Sequence, residues 1–145
     1  MPYPRPVTGL VIRYAYLWRE DFKKGKEEGV KDRPCAVILV AQDVNGKDVV
    51  TVLPITHTAP HDPTKALEIP TAVKKRLGLD SHRSWVVLNE ANQFVWPGPD
   101  LRPSISGNTD SVSYGVLPTS FIQEIRTRFV AILRASPRRV VSRSE

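Results

Sequence analysis

Between Leu10 and Trp18 the chain reads LVIRYAYLW, which sets Leu10, Ile12, Tyr14, Tyr16 and Trp18 on one face and Val11, Arg13, Ala15 and Leu17 on the other. A period of two rich in aromatic residues predicts a strand. Residues 19–33, REDFKKGKEEGVKDR, carry six basic and five acidic side chains, two glycines and few apolar anchors. Such a stretch predicts a surface loop, either a solvated connector or a flap over a site. Two further apolar runs, PCAVILVAQ and DVVTVLPIT, flank DVNGK, whose Asn45-Gly46 pair predicts a hairpin closed by a two-residue type I′ turn. In that register Ala36 faces Ile55, Cys35 faces Thr56 and Arg33 faces Thr58.

Beyond the hairpin, ALEIP predicts a short strand, TAVKKRLGL a brief helix with Thr71 as its cap and Gly78 as its stop, and SWVVL another strand. Proline, glycine and small polar residues dominate WPGPDLRPSISGNTDS, residues 96–111, which predicts a long irregular loop. In SFIQEIRTRFVAILRA the residues Phe121, Ile122, Ile125, Phe129, Ile132 and Leu133 form one helical stripe, and Ser120 and Gln123 have the spacing of a capping box. This is a helix that docks on a sheet. The basic remainder, 135–145, has no apolar stripe and is expected to form a tail without fixed structure, leaving 1–134 as a single domain.

At 145 residues the chain suits one domain, and a chain of this size buries roughly 68–70% of its unfolded surface without needing a covalent staple. The single cysteine, Cys35, excludes an internal disulfide and precedes the apolar run AVILVA, so it is expected as a buried thiol in a reducing cytoplasm. MPYPRPVTGL lacks the apolar core of a signal peptide, and no stretch has the length of a membrane span, so no membrane association is expected. The net charge is +6, half of it in the last twelve residues. A basic balance favours a polyanionic partner such as nucleic acid but speaks to attraction rather than chemistry.

Chemistry enters at the strand ends. In the predicted register Arg33 and Thr56 are diagonal neighbours on one face, with backbones roughly 7–8 Å apart. A guanidinium that grips two phosphate oxygens and a hydroxyl that donates a third bond make a metal-free anion site. The plainer reading is a surface arginine beside a strand-ending threonine. His57 falls on the opposite face and becomes a candidate only if the register differs. No set of histidines and cysteines completes a zinc site around His57, His61 and Asp62, so neither metal nor cofactor is expected. Trp85, inside an apolar strand, is expected in the core, whereas Trp18 and Trp96 lie beside loops where they can stack on bases.

A glycine-led first strand, a charged loop, RPCAVILV, VTVLPITHT, NEANQFVW and finally YGVLPTSFIQEI follow in an order and spacing that resembles the MazF/PemK family of toxin endoribonucleases, over about residues 9–134. Arg33-Pro34 before one apolar strand and Pro54-Ile55-Thr56 at the end of the next are its most specific marks. The resemblance implies a mainly β fold with small helices, an SH3-like barrel of the MazF/PemK/CcdB kind with a C-terminal α-helix. It implies a homodimer, a cognate antitoxin, and metal-independent cleavage of single-stranded RNA by attack of the 2′-hydroxyl, giving 2′,3′-cyclic phosphate and 5′-hydroxyl ends.

By the same resemblance Arg33 and Thr56 carry catalysis. Glu28, His57 and Glu90 are candidate general bases or RNA contacts, and Trp18, Lys31, Thr58, Asn89 and Trp96 are candidate RNA-binding residues. Leu10 stands where the family usually has an acidic residue, Asn89-Glu90 where it commonly has Asp-Gln, and the 96–111 segment is an insertion. The alternative keeps the fold without the chemistry: a non-catalytic binding protein acting on a protein target, as related toxins act on DNA gyrase.

Overall fold

The structure, a computed structural model, describes residues 3–23, 31–104, 112–135 and 140–143. In chain order its elements are β1 (Leu10–Tyr16), α1 (Arg19–Lys23), β2 (Lys31–Gln42), β3 (Asp48–Thr56), a 3-10 turn (Pro63–Lys65), β4 (Ala66–Glu68), α2 (Thr71–Leu77), β5 (Trp85–Val87), β6 (Ala91–Val95), β7 (Ser113–Val116), α3 (Thr119–Ala135) and β8 (Val140–Ser142). The protein is mainly β: its strands run β4-β5-β3-β2-β1-β7, with β6 also on β3 and β8 on β6. Every pairing is antiparallel except that of β6 with β8. No helix among the described residues is long and apolar enough to cross a membrane.

β3 organises the sheet because it changes partners. One edge pairs with β2, while the other pairs with β6 through residues 49–52 and with β5 through Ile55 and Thr56. Both faces of the sheet are covered. Val11, Ala36, Leu53 and Ile55 pack under Ile122, Ile125 and Phe129 of α3. The alternate residues Ile12, Tyr14, Cys35, Val37, Val50 and Val52 form a second core with Phe94, Leu101 and Val112. Burying each large α3 side chain is worth about 1.5–3 kcal/mol. That exceeds the few tenths of a kcal/mol from an exposed helical ion pair such as Glu124–Arg128. The predicted docking helix is therefore present, although it begins at Thr119 and holds Ser120 within its first turn. Pro70, not Thr71, precedes α2, and Gly78 closes it at φ 70°.

The hairpin differs from the expected one. Asp43 N–H donates to the Lys47 carbonyl and Gly46 N–H to the Asp43 carbonyl, with Gly46 at φ 77°. These contacts make a type I turn followed by a left-handed glycine, the usual three-residue loop. The Asp43 carboxylate accepts from the N–H of both Asn45 and Lys47 and so favours it. A bulge between Val37 and Leu39 adds a further shift, and Cys35 faces Pro54 instead of Thr56. The net slip is two residues, which preserves which side chains share a face.

The tail expectation is corrected for residues 140–143, while 136–139, 144 and 145 lie outside the described residues. Val140–Ser142 adds a parallel strand to β6, Val141 is buried, and Arg143 enters the protein. Its guanidinium lies 3.0 Å from the Asp100 carboxylate and donates to the Ala15 carbonyl at 2.8 Å and to Asn92 Oδ1 at 3.1 Å. A buried arginine is tolerated where its charge and N–H groups are matched, and these partners lie far away in sequence. The 96–104 part of the expected loop is likewise structured, with Leu101 bridging Tyr14.

Candidate active site

The β2/β3 register brings Arg33 and Thr56 together. Two residues beyond the Cys35–Pro54 pair, Arg33 falls opposite Thr56 in the continued register, closer than the diagonal placement expected from the two-residue turn. Both line a cavity of about 420 Å³ with Arg13, His57, Asp80 and Tyr114. The Arg33 guanidinium lies 4.9 Å over the Trp18 ring, and Tyr16 packs edge-on against that ring at 5.2 Å. Arg33 Nε is buried and has no hydrogen-bond partner among the described residues. Thr56 Oγ1 accepts the N–H of Thr58 at 3.1 Å, which fixes the oxygen and leaves its O–H to donate elsewhere.

Of the lining residues, His57 and Asp80 belong to a charge network. Asp80 Oδ2 is 2.7 Å from His57 Nε2, and Asp80 Oδ1 is 2.9 Å from the nearly buried Lys74 ammonium. Lys74 also donates to the His82 carbonyl, and the His82 N–H donates to Asp80 Oδ1 at 3.1 Å. Burial alone raises the Asp80 pKa, but the Lys74 hydrogen bond, the charges of His57 and Lys74, and the His82 N–H together outweigh it, so the carboxyl titrates below its ordinary value. Burial, offset in part by Arg13, raises the Tyr114 hydroxyl.

Among the described residues His57, Asp80 and His82 are the one grouping of such side chains whose nitrogen and oxygen atoms all lie within 4.8 Å of one another. Three groups are one short of a structural zinc site, and the carboxylate is already engaged by Lys74 and a backbone N–H. His57 and Asp80 are within hydrogen-bond distance of each other, whereas the His82 ring nitrogen stays 3.8 Å from the carboxylate. Asp62 is occupied differently, accepting from Thr64 N–H and hydroxyl at the 3-10 turn.

His57 was expected on the face away from Arg33 and instead lines the same cavity. Strand alternation stops at Thr56, where β3 ends and the Thr56–Thr58 turn redirects the chain. A neighbouring cavity of about 500 Å³ collects Trp18 and Asn89 and shares Thr56 and Thr58 with the first. Glu90 is placed elsewhere: it accepts from the Tyr16 hydroxyl at 3.0 Å and the Arg19 N–H at 2.9 Å and lines a separate hollow with Arg19 and Lys23. Trp96 stacks on Phe94 at 6.1 Å against the second core, and lines neither cavity. Glu28 and the side chain of Lys31 lie outside the described residues. Asp80, Lys74, Arg13 and Tyr114 went unnoticed in the sequence; GLDSH after the α2 stop was the only local signal, and nothing in it points to His57.

Compared with known proteins, the chain matches no family model, no curated protein and no solved structure. The resemblance to the MazF/PemK family therefore rests on its motifs.

Proposed function

We propose that this protein is a metal-independent endoribonuclease of the MazF/PemK toxin kind, acting on single-stranded RNA, and that its sheet is an SH3-like barrel. The observation that carries this reading is Arg33: a guanidinium stacked on Trp18, with a buried and unpartnered Nε, in one cavity with Thr56. An unsatisfied buried donor costs about 1–3 kcal/mol. A phosphate oxygen that enters the cavity finds a charge-assisted donor in this guanidinium, most strongly when the oxygen gains charge in the transition state.

RNA supplies its own nucleophile. The 2′-oxygen attacks the adjacent phosphorus, a pentavalent phosphorane forms, and the bond to the 5′-oxygen breaks. Arg33 and the Thr56 O–H donate to the non-bridging oxygens as their charge rises. No metal-activated water is needed, since no water attacks. In this reading the chain acts as a homodimer restrained by an antitoxin, and the end strand β7 with exposed Val116 offers an edge for a partner.

Digestion of a long single-stranded RNA with and without EDTA, followed by end mapping, tests the proposal. Expected are 2′,3′-cyclic phosphate and 5′-hydroxyl ends, unaffected by EDTA and lost in Arg33→Ala. A metal requirement or 5′-phosphate ends would overturn it. One observation favours the non-catalytic alternative, the outward face of α3 where exposed Val130 lies in a shallow hollow with Arg126 and Arg134. Gyrase inhibition by a chain that leaves RNA intact would select that reading.

A further inference from the structure

We propose that His57 and Asp80 form a general-base dyad for this cleavage, with His57 accepting the 2′-hydroxyl proton and Asp80 positioning the imidazole. The inference rests on the endoribonuclease reading and fills the role that Arg33 and Thr56 leave empty. A guanidinium holds its protons at neutral pH and a threonine hydroxyl is a donor, so neither takes a proton from the nucleophile.

The geometry supplies what a base requires. A carboxylate only accepts, so the 2.7 Å contact between His57 Nε2 and Asp80 Oδ2 places the proton on Nε2. Nδ1 is then the basic atom, on a ring that lines the same cavity as Arg33 and Thr56. Asp80 cannot easily turn away, because its other oxygen is held by the Lys74 ammonium and by the His82 N–H. Lys74 is itself anchored on the His82 carbonyl. The His82 ring packs edge-on against His57 with centroids 5.4 Å apart. A nucleophile, a base and an orienting carboxylate in sequence follow the general logic of activated hydroxyls.

The step balances without a co-reactant. His57 Nδ1 takes the 2′-hydroxyl proton as the bond from the 2′-oxygen to phosphorus forms and the bond to the 5′-oxygen breaks. Water in the open cavity protonates the departing 5′-oxygen, and the imidazolium returns its proton to solvent.

General-base removal costs about 100- to 10,000-fold. His57→Ala and the hydrogen-bonding but non-basic His57→Gln should therefore each lose at least about 100-fold in kcat with KM within a few-fold, at unchanged melting temperature. Asp80→Asn should lose kcat likewise while still folding. The decisive readout is chemical rescue: added imidazole should restore cleavage to His57→Ala, in proportion to its free-base form, and should not restore Arg33→Ala. His82→Ala, which removes the ring packed on His57 but keeps the backbone contacts to Asp80 and Lys74, should lose far less than His57→Ala and should not respond to added Zn²⁺. Full activity in both His57 variants, or absence of rescue in a folded His57→Ala protein, overturns the dyad while Arg33→Ala inactivity leaves the nuclease reading standing. Loss of activity in His82→Ala that returns with added Zn²⁺ overturns it in favour of a metal. A wild-type protein that does not cleave RNA removes the nuclease reading itself.

Discussion

Arg143→Ala tests whether the last residues belong to the fold. The side chain is 3% exposed and lies 3.0 Å from Asp100, which is 12% exposed. Its truncation strips Asp100 of its counter-charge and takes a donor from the Ala15 carbonyl and Asn92 Oδ1. Removing one partner of a buried ion pair costs about 3–5 kcal/mol, most of it the desolvated charge left behind. Asp100 keeps 12% of its side chain exposed, so water can reach the vacated cage, and we expect the lower end, about 3 kcal/mol. For a chain of this size that corresponds to a melting temperature lower by roughly 6–12 °C. The assay is urea unfolding of the full chain followed by tryptophan fluorescence, with Asp100→Asn and the double variant completing a cycle. The coupling between the two positions should be at least about 1.5 kcal/mol. A loss under about 1 kcal/mol with no coupling, the behaviour of an exposed pair, would refute the docked tail.

Arg33→Ala should lose at least about 100-fold in RNA cleavage, the scale of removing one charge-stabilising donor, and Arg33→Lys should recover little because an ammonium cannot lie flat on Trp18 and fork to two oxygens. In the same assay Thr56→Val should be crippled and Thr56→Ser largely spared; equal rates for Val and Ser would show that the hydroxyl is not used. Asp80 has a pKa below its ordinary value of 3.8, so its contribution to stability is complete above that value and is lost as pH falls through the lower folded-state pKa. Acid unfolding curves of wild type and Asp80→Asn should converge below that window; a constant difference down to the most acid pH would contradict the assignment. Cys35 is fully buried and its burial raises the thiol pKa strongly, so labelling by a thiol reagent should proceed only at the rate of unfolding, and rapid labelling of native protein would show the core to be open.

The parts of the fold legible in the sequence were those written by periodicity. LVIRYAYLW, the two hairpin runs and the Phe121–Leu133 stripe each carry a pattern that burial enforces, and β1, β2, β3 and α3 follow it. Asn-Gly suits a two-residue turn, but Asp43 reaches over the loop to two N–H groups and selects the three-residue form. Because that change and the bulge together slip the register by two, Arg33 and Thr56 still share a face. His57 was lost to alternation because the strand ends one residue before it. Its contact with Asp80 joins residues more than twenty positions apart with no repeating pattern between them. Arg143 is the same case at longer range: Asp100 and Asn92, which make its burial tolerable, carry no mark in the sequence that pairs them with an arginine near the end of the chain.

The tail and the Arg33 cavity meet in one buried amide. Asn92 Oδ1 accepts from the Leu17 N–H at 2.9 Å and from Arg143 at 3.1 Å, while its Nδ2 donates to the Leu17 carbonyl at 2.8 Å. A side-chain amide has two donor and two acceptor positions; three of the four are used here, one on Arg143 and two on Leu17 just after β1 ends. The next residue is Trp18, the ring beneath the Arg33 guanidinium. Because the amide is fully buried, these hydrogen bonds act without competition from water and polarise one another. Arg143 draws Asn92 Oδ1 toward positive charge on one side and Leu17 N–H fixes it on the other, so the orientation of the amide, the exit of β1 and the platform under Arg33 are set together. The basic residue that composition assigns to solvent thus belongs to the support of the cationic side chain at the opposite end of the network.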